Sequence, residues 1–452
     1  MKTAYFHKFD QQLSTRLLQT KRNCGTILLQ GLSFEMGLSI VFHAWLNGLT
    51  VAIIREDAHL DYCSFVRELL EDHLFVLTNN SGDVVVRFDD KIVSYSSWLA
   101  GDGFPTDGVS GAENDAEPYC WSADECALIL FTSGSTGTPK GVCHSLGNIR
   151  RSVALFAHHF DLRTGTDLLC LAPCHTMSGF RSMVLPLFTD VQVSFLPHDC
   201  NSFPAIVNFI RQSNPAKIVC GPVFIDLLAA YSERLIESLK GVDALLCTGA
   251  ELNERNRRHV ENIFTFPVIN YYGLTETGGI VLAETKNTRN YHMLPPPCHG
   301  VRTKLIPFKG TENIYRLSIM CRTLFLGYVG DTLLCREEFD TGDLVRKCND
   351  GQLELVGRVS GAFKASNTEW IFPNLLERWL KFRTDLFLDV VVVKNRMSVG
   401  NGIEVHFECQ KPPDLGQLEK RIVKELGAEY RPATWKLAKI DRSILGKVDC
   451  IC

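Results

Sequence analysis

The chain has 452 residues, 45% of them hydrophobic, and a formal net charge of −4. This length exceeds the usual size of a single domain, so we expect at least two domains and a large apolar core. Acidic and basic residues are interspersed along the chain, which excludes an extended basic face for nucleic acid and favours small substrates.

The N-terminal region and the cysteines bear on where the protein works. Residues 1–10 are polar and lack the apolar core of a signal peptide, so we expect no secretion. Residues 26–54 form the most apolar long stretch, but polar residues interrupt it, which predicts strand, helix and strand rather than a membrane span. The 17 cysteines match no zinc-binding spacing, so we expect reduced, mostly buried thiols in a cytoplasmic protein.

Apolar runs alternate with helical patterns between residues 26 and 280, which predicts layers of helices on mainly parallel strands. A Gly-, Asp-, Pro- and Ser-rich stretch at 101–120 predicts a surface connection that leads into a buried strand at 127–131. After residue 358 the pattern changes and predicts a small α+β domain. Its elements are helix 374–382, strand 388–393, strand 402–408 and helix 415–426.

The segment after the strand at 127–131 is the most informative feature of the chain. It reads Thr132-Ser133-Gly134-Ser135-Thr136-Gly137-Thr138-Pro139-Lys140-Gly141. Glycines let backbone N–H groups approach phosphate oxygens, the hydroxyls add donors, and Lys140 adds a positive charge. A Walker loop is excluded, because Pro139 precedes the lysine and Gly141 follows it. The segment therefore predicts nucleoside triphosphate binding, with a flexible linker as the alternative.

This decapeptide resembles the signature of the adenylate-forming superfamily, which includes acyl-CoA synthetases, aryl-acid ligases, luciferases and peptide-synthetase adenylation domains. Further segments resemble family motifs in the family's order: Asn270-Tyr271-Tyr272-Gly273-Leu274-Thr275-Glu276-Thr277, then Thr341-Gly342-Asp343, then Leu445-Gly446-Lys447-Val448-Asp449. The resemblance implies a large α/β N-terminal domain at residues 1–357 and a small, mobile α+β domain at 358–452, with ATP between them. The compact length is most similar to o-succinylbenzoyl-CoA synthetases.

The resemblance also implies how ATP is held. Tyr272 and the backbone of residues 249–251 would sandwich adenine, and Asn270 would bond its amino group. Asp343 would accept both ribose hydroxyls, and Arg358 would add a ribose or phosphate contact. The implied ATP-binding set is Thr132, Ser133, Gly134, Ser135, Thr136, Gly137, Lys140, Gly249, Ala250, Glu251, Asn270, Tyr271, Tyr272, Gly273, Asp343 and Arg358.

The implied catalytic set is Thr275, Glu276, His175 and Lys447. In the family Thr275 would hold the α-phosphate and Glu276 would bind Mg²⁺, a cation that prefers hard carboxylate oxygens. Lys447 would lie between the attacking carboxylate and the α-phosphate, where a cation screens their repulsion. Taken alone, residues 275–277 also fit a capped turn, and residues 341–343 fit a common turn.

Residues 172–180 resemble the segment that lines the acyl pocket in the family. Amino-acid-activating members carry an aspartate where this chain has Thr176, so we expect a plain carboxylic acid as substrate. His175 would lie at the pocket mouth. The implied acyl pocket is His175, Gly179, Phe180, Val223, Tyr271, Gly273 and Ile280.

The resemblance implies an ATP- and Mg²⁺-dependent ligase that adenylates a carboxylic acid, releases pyrophosphate and passes the acyl group to a thiol. The acceptor would be coenzyme A or the phosphopantetheine of an acyl or peptidyl carrier protein. Two segments depart from the family. The hinge reads Ser360-Gly361 without the family's carboxylate, which motivates the non-catalytic alternative below, and residues 364–368 lack the glycine-rich turn that the thioester step uses in the family. The alternatives are a non-catalytic nucleotide-binding scaffold or sensor, and an amide-forming ligase with an amine acceptor.

Overall fold

The computed structural model describes residues 13, 16–17, 25–55, 73–78, 84–88, 91–94, 96–97, 119–132, 139–197, 200, 202–231, 234–288, 293–365, 369–383, 386–394, 402–442 and 448–451. Several predicted site residues lie outside this part of the chain, namely Ser133, Gly134, Ser135, Thr136, Gly137 and Lys447.

Strands and helices alternate along most of the described chain. The strands are β1 Thr26–Gln30, β2 Thr50–Ile53, β3 His73–Thr78, β4 Val84–Phe88, β5 Lys91–Ser94, β6 Leu128–Thr132, β7 Lys140–His144, β8 Asp167–Cys170, β9 Gln192–Phe195, β10 Lys217–Cys220, β11 Ala244–Cys247, β12 Val268–Tyr272, β13 Leu282–Ala283, β14 Arg302–Pro307, β15 Ile314–Met320, β16 Gly327–Tyr328, β17 Phe339–Lys347, β18 Leu353–Arg358, β19 Phe363–Lys364, β20 Trp370–Ile371, β21 Asp389–Lys394, β22 Ile403–Glu408, β23 Thr434–Leu437, β24 Ile440–Arg442 and β25 Val448–Ile451. The α-helices are α1 Phe34–Leu46, α2 Leu146–His159, α3 Met177–Phe188, α4 Phe203–Ser213, α5 Pro222–Tyr231, α6 Glu254–Phe264, α7 Pro373–Arg383 and α8 Leu415–Glu425.

The chain divides into two compact units. The first comprises Met1–Ile218, Gly273–Ile280 and Cys321–Glu337, and the second comprises Val219–Tyr272, Val281–Met320 and Glu338–Cys452. Each unit is therefore built from segments that are far apart in sequence. None of the helices in the described ranges is both long and apolar enough to cross a lipid bilayer.

The first unit contains a sheet with the strand order β16-β7-β6-β2-β1-β3-β4-β5. Its central strands β6, β2, β1 and β3 are parallel, whereas the outer strands pair antiparallel. Helix α1 lies between β1 and β2 in sequence, as predicted for residues 26–54, and its Trp45 ring meets the edge of Phe180 in α3 with ring centroids 6.0 Å apart. The predicted α/β layering is confirmed, with antiparallel strands added at both edges.

The second unit contains an antiparallel sheet that the sequence patterns did not predict. Its strand order is β14-β15-β17-β18, and it spans residues 302–358. Strand β14 alternates exposed and half-buried residues, so its pattern is too polar to stand out as a buried strand. This sheet is important for the site, because β17 carries Asp343 and β18 ends at Arg358.

Residues after Arg358 form their own apolar core. It includes Ile371 on β20, Leu380 on α7, Val405 on β22 and Ile422 on α8, and the predicted helix and strand pattern of this region is confirmed within two residues at each end. Phe372 also packs with Val356 of β18 in a second cluster. A boundary between large and small domains at residues 357 and 358 stays a prediction.

Buried side chains fix the turn at Thr275–Thr277 in the first unit. His144 Nε2 donates to the Thr275 carbonyl at 2.8 Å, Thr323 donates to the Thr277 carbonyl at 2.8 Å, and Ser152 donates to the Gly278 carbonyl at 2.6 Å. Burial lowers the pKa of His144 from its ordinary value to about 4, only partly offset by the carbonyl of Thr275. His144 is therefore neutral at pH 7 and carries its proton on Nε2.

Buried charges fix β12 in the second unit. Arg257 on α6 is fully buried and donates to the Glu284 carboxylate and, at 2.7 Å, to the Val268 carbonyl. Glu284 accepts in turn from the Asn270 backbone N–H at 2.9 Å. Arg257 thus holds β12 at two points, at Val268 directly and at Asn270 through Glu284.

Arg257→Met should destabilise the protein by about 3–5 kcal/mol, because it leaves the buried Glu284 carboxylate without its counter-charge. Urea unfolding followed by circular dichroism measures the loss. Arg258→Met, which changes an exposed arginine of the same helix, is the matched control and should leave stability within about 0.5 kcal/mol of the wild type. Equal losses in the two variants would contradict the role given to Arg257.

His144→Gln should make stability less dependent on pH between about 7.5 and 5. The folded-state pKa of about 4 lies below the ordinary value of 6.5, so the unfolded chain takes up the proton first and wild-type stability falls as the pH drops through this window. The wild type should lose about 2 kcal/mol more than the variant, measured by urea unfolding at both pH values. His158→Gln, at an exposed position, should follow the wild type, and a His144→Gln profile parallel to the wild type would refute the assignment.

Candidate functional site

The predicted phosphate loop joins the two strands of a hairpin. Strands β6 and β7 pair antiparallel, with Thr132 directly opposite Lys140. The strand predicted at residues 127–131 is confirmed within one residue. Lys140 is exposed, and its Nζ lies 5.2 Å from the centroid of the Tyr328 ring. The hairpin therefore places the Lys140 ammonium group directly after the loop. The phosphate-binding role of Lys140 stays a prediction.

Glu276 lies at the centre of the short 3-10 turn Thr275–Thr277, between β12 and β13. Its Oε1 accepts a hydrogen bond from the Tyr328 hydroxyl at 3.0 Å, and its carbonyl accepts from the Phe325 N–H at 2.8 Å. The turn is capped by Thr277, whose hydroxyl accepts from the Leu274 N–H at 2.8 Å. The capped turn considered from sequence is therefore present, and it holds Glu276 half-buried beside the tyrosine.

Glu276 fits a divalent cation by its chemistry and placement. Mg²⁺ in nucleotide sites is commonly held by one or two carboxylates together with substrate phosphate oxygens. The Tyr328 hydrogen bond engages Oε1, and a carboxylate offers a second oxygen to a hard cation. Glu276 would hold Mg²⁺ through that oxygen, and Mg²⁺ would neutralise charge on the phosphates.

The predicted adenine contacts lie on and beside β12. Along this strand Asn270 and Tyr272 are half-buried and share one face, whereas Tyr271 points to the opposite face and is buried. Gly249 and Ala250 lie in the loop between β11 and α6, followed by Glu251, whose carboxylate pairs with Arg378 of α7. Strand alternation thus separates Tyr271 from the two residues predicted to contact adenine.

Tyr272, Asp343 and Arg358 come together in the second unit. The Tyr272 hydroxyl donates to Asp343 Oδ2 at 2.5 Å, and Arg358 Nε donates to Asp343 Oδ1 at 2.8 Å. Asp343 and Arg358 are also direct cross-strand partners of β17 and β18. Two residues from separate motifs, Tyr272 and Asp343, therefore form one hydrogen-bonded cluster with Arg358.

The cluster surrounds the buried Asp343 carboxyl group with two hydrogen-bond donors. Burial raises the pKa of Asp343, and Arg358 and the Tyr272 hydroxyl oppose that shift. Burial also raises the pKa of the Tyr272 phenol well above its ordinary value, and the Asp343 carboxylate adds to the effect. At neutral pH the phenol is therefore protonated and donates to Asp343, whose oxygens accept hydrogen bonds as recognition of ribose hydroxyls requires.

The predicted acyl-pocket residues of the first unit surround the start of α3. Thr176 caps this helix, accepting from the Gly179 N–H at 3.1 Å and donating to the Pro173 carbonyl at 2.7 Å. His175 is half-buried in the turn just before the cap. The helix begins at Met177, where this cap satisfies its first turn. Thr176 thus has a structural role that an aspartate could also fill.

Close backbone contacts explain two predicted pocket glycines. A Cβ at Gly179 would lie 2.0 Å from the Pro173 carbonyl oxygen, and one at Gly273 would lie 2.4 Å from the Gly279 carbonyl carbon. Both positions therefore demand glycine for packing alone. Phe180 and Ile280 are fully buried in the first unit, and Val223 is half-buried on α5 of the second. Their role in binding an acid stays a prediction.

The predicted hinge is a tight turn. The N–H groups of Gly361 and Ala362 both donate to the Arg358 carbonyl, at 3.1 and 3.0 Å. Lys364 follows on β19, exposed, with its Nζ 5.4 Å from the centroid of the Trp370 ring. Ser360 and Gly361 therefore form a closed turn without the family's carboxylate.

The sequence patterns did not identify two residues that contact the site. Tyr328 contacts Glu276 from 52 residues away, and His144 contacts Thr275 from 131 residues away. The signal for His144 was its place just after the loop, on the strand that Lys140 begins. Nothing in the spacing of a single sequence connects Tyr328 to Glu276.

Two curated relatives give the extent of the similarity. The chain is 30% identical to the 4-chlorobenzoate–CoA ligase of an Arthrobacter species over 156 residues, which is 34% of this chain and 30% of that protein. It is 27% identical to the malonate–CoA ligase of Arabidopsis thaliana over 287 residues, covering 56% of this chain and 46% of the relative. The chain thus spans less than half of the length of these relatives, 30% of the first and 46% of the second.

A solved structure shows the fold. The o-succinylbenzoate CoA synthetase of Bacillus subtilis, in complex with its acyl-adenylate intermediate, matches with a TM-score of 0.78 at 17% identity, covering 96% of this chain and 90% of that one. The predicted adenylate-forming fold is confirmed by this likeness. A family model described as AMP-binding enzyme matches residues 78–311, just over half of the chain. This chain therefore belongs to the AMP-binding enzyme family.

Proposed function

We propose that this protein is an ATP- and Mg²⁺-dependent ligase that activates a carboxylic acid as its acyl-adenylate and then transfers the acyl group to a thiol. The observation that carries the proposal is the cluster of Tyr272, Asp343 and Arg358. Tyr272 and Asp343 lie 71 residues apart, in two motifs recognised independently, and they share a 2.5 Å hydrogen bond. Such convergence is expected if both residues serve one nucleoside.

In the first half-reaction a substrate carboxylate oxygen attacks the α-phosphorus of ATP, and pyrophosphate leaves. Lys140 and the predicted Thr275 contact would stabilise phosphate charge, and Lys447, from the C-terminal motif, would screen the approach of one anion to another. Glu276 would hold Mg²⁺. Together these groups would lower the barrier mainly by positioning and electrostatics.

In the second half-reaction a thiol attacks the acyl carbon of the mixed anhydride and AMP leaves. Coenzyme A is the favoured acceptor, because both curated relatives are named as CoA ligases. A carrier-protein phosphopantetheine has the same thiol chemistry and is the alternative. Thr176 in place of an aspartate favours an acid without an ammonium group. We also propose that the protein is cytoplasmic and that residues 358–452 form a mobile C-terminal domain.

The test is acid-dependent pyrophosphate release with ATP and Mg²⁺, screened over aryl, short-chain and long-chain acids with and without coenzyme A. We expect release with one acid class and stimulation by coenzyme A. Lys447→Ala should reduce release sharply while ATP binding persists, because a transition-state contact is lost. Lys439→Ala, at an exposed lysine, is the matched control. Intact ATP binding without release for any acid would favour a scaffold or sensor, and AMP release with amines alone would favour amide formation.

Asp343→Ala should weaken ATP binding about 10-fold or more, because hydrogen bonds from ribose to a charged acceptor are lost. The sharper readout is nucleotide preference. The wild type should bind ATP more tightly than 2′,3′-dideoxy-ATP, and the variant should bind both alike, as measured by calorimetry. Asp350→Ala, in an exposed turn, should retain the wild-type preference. If Asp343→Ala still prefers ATP, Asp343 does not bind the ribose hydroxyls.

A further inference from the structure

We propose that Tyr328 is a positioning residue that orients the Glu276 carboxylate for a divalent cation and steadies the Lys140 side chain for contact with the phosphates. This inference rests on the proposed function, because it concerns the metal and phosphate groups of the same site. Its basis is a single side chain in contact with two groups that come from separate sequence motifs.

The contacts of Tyr328 define its two roles. Its hydroxyl donates to Glu276 Oε1 at 3.0 Å, and its ring centroid lies 5.2 Å from Lys140 Nζ. The first contact involves the predicted Mg²⁺ ligand and the second the predicted phosphate-binding lysine. One aromatic side chain therefore fixes the distance between an anionic and a cationic element of the site.

Tyr328 is itself held from several directions. Strand β16 pairs antiparallel with β7, which places Tyr328 opposite Val142. The Tyr328 N–H donates to Asp331 Oδ2 at 3.2 Å, and its ring meets the edge of the Phe325 ring with centroids 5.0 Å apart. Because the ring is anchored by backbone pairing and packing, its hydroxyl is a fixed reference point for Glu276.

The hydrogen bond limits the freedom of the Glu276 side chain. A glutamate has several rotatable bonds, and ordering it when a metal binds reduces affinity unless the ordering already exists. The phenol holds Oε1, so that Oε2 can meet a cation without a search through rotamers. Residues that orient metal ligands in this way typically contribute 10–100-fold to metal affinity.

The contact with Lys140 has a different consequence. A carboxylate beside Lys140 would accept hydrogen bonds from its ammonium group, whereas an aromatic face attracts the ammonium and leaves its N–H donors for phosphate oxygens. Tyr328 therefore steadies the lysine without competing with the substrate. Its hydroxyl and its ring act on different groups, so the two effects can be separated by mutation.

The test measures binding of Mn²⁺, a paramagnetic substitute for Mg²⁺, to the protein in the presence of ATP and without any acid. Electron paramagnetic resonance gives the Mn²⁺ affinity, and calorimetry with EDTA gives the affinity for metal-free ATP. Tyr328→Phe should weaken Mn²⁺ binding about 10-fold or more and leave metal-free ATP binding unchanged. Tyr328→Leu should in addition weaken ATP binding about two- to fivefold through loss of the ring.

Tyr119→Phe is a matched control, because Tyr119 is an exposed tyrosine that also donates to a glutamate, Glu125, at 2.6 Å. It should leave both affinities at their wild-type values. A double variant, Tyr328→Phe with Glu276→Gln, should bind Mn²⁺ no more weakly than Glu276→Gln alone, because Tyr328 acts through Glu276. Additive losses would show that Tyr328 acts by another route and would overturn the proposal.

Two further outcomes separate the inference from the function on which it rests. If the wild type binds Mn²⁺ with ATP and Tyr328→Phe binds it equally well, the positioning role fails and the ligase proposal stands. If the wild type binds ATP but no Mn²⁺ with it, the metal site at Glu276 fails together with the inference. Thermal unfolding of Tyr328→Phe within about 2 °C of the wild type would exclude a general loss of structure.

Discussion

The turn at Thr275–Thr277 carries backbone carbonyls that lie away from water, and buried side chains must satisfy them. His144 and Thr323 bond the carbonyls of Thr275 and Thr277, and Ser152 bonds that of the following Gly278, from three separate segments of the first unit. A buried carbonyl without a partner costs about 1–3 kcal/mol, so alternative positions of the turn are disfavoured. These contacts position Glu276, and the proposed binding of Mg²⁺ depends on that position.

Strand β12 is subject to a comparable constraint in the second unit. Glu284 accepts from the Asn270 N–H, and Arg257 neutralises Glu284 while bonding the Val268 carbonyl. Buried charges of this kind are tolerated only when paired and hydrogen-bonded. The pairing holds the face of the strand on which Asn270 and Tyr272 lie, and so determines where a nucleoside base could stack.

Two cationic residues of the candidate site, Arg358 and Lys140, are held in place and remain exposed to a ligand. Arg358 pairs with Asp343, yet the guanidinium remains more than half exposed while the carboxylate is buried. Lys140 rests beside an aromatic ring instead of a carboxylate. Arg378 of α7 bonds Glu354 and the Leu355 carbonyl, so any rotation of the segment after Arg358 has to break these bonds. A rotation between the two proposed half-reactions would therefore require these Arg378 hydrogen bonds to break.

The family, the α/β layering and the residue types of the candidate site could all be predicted from the sequence. Local patterns suffice for these features: apolar periodicity predicted α1, β6 and α7, and glycine, hydroxyl and lysine residues in one short segment predicted a phosphate loop. The hydrogen bond between Tyr272 and Asp343, the helix cap at Thr176 and the contact of Tyr328 with Glu276 could be seen only in the folded protein. These contacts join residues through sheet pairing and buried hydrogen bonds, whose geometry depends on the whole packed unit and leaves no periodic trace in one sequence.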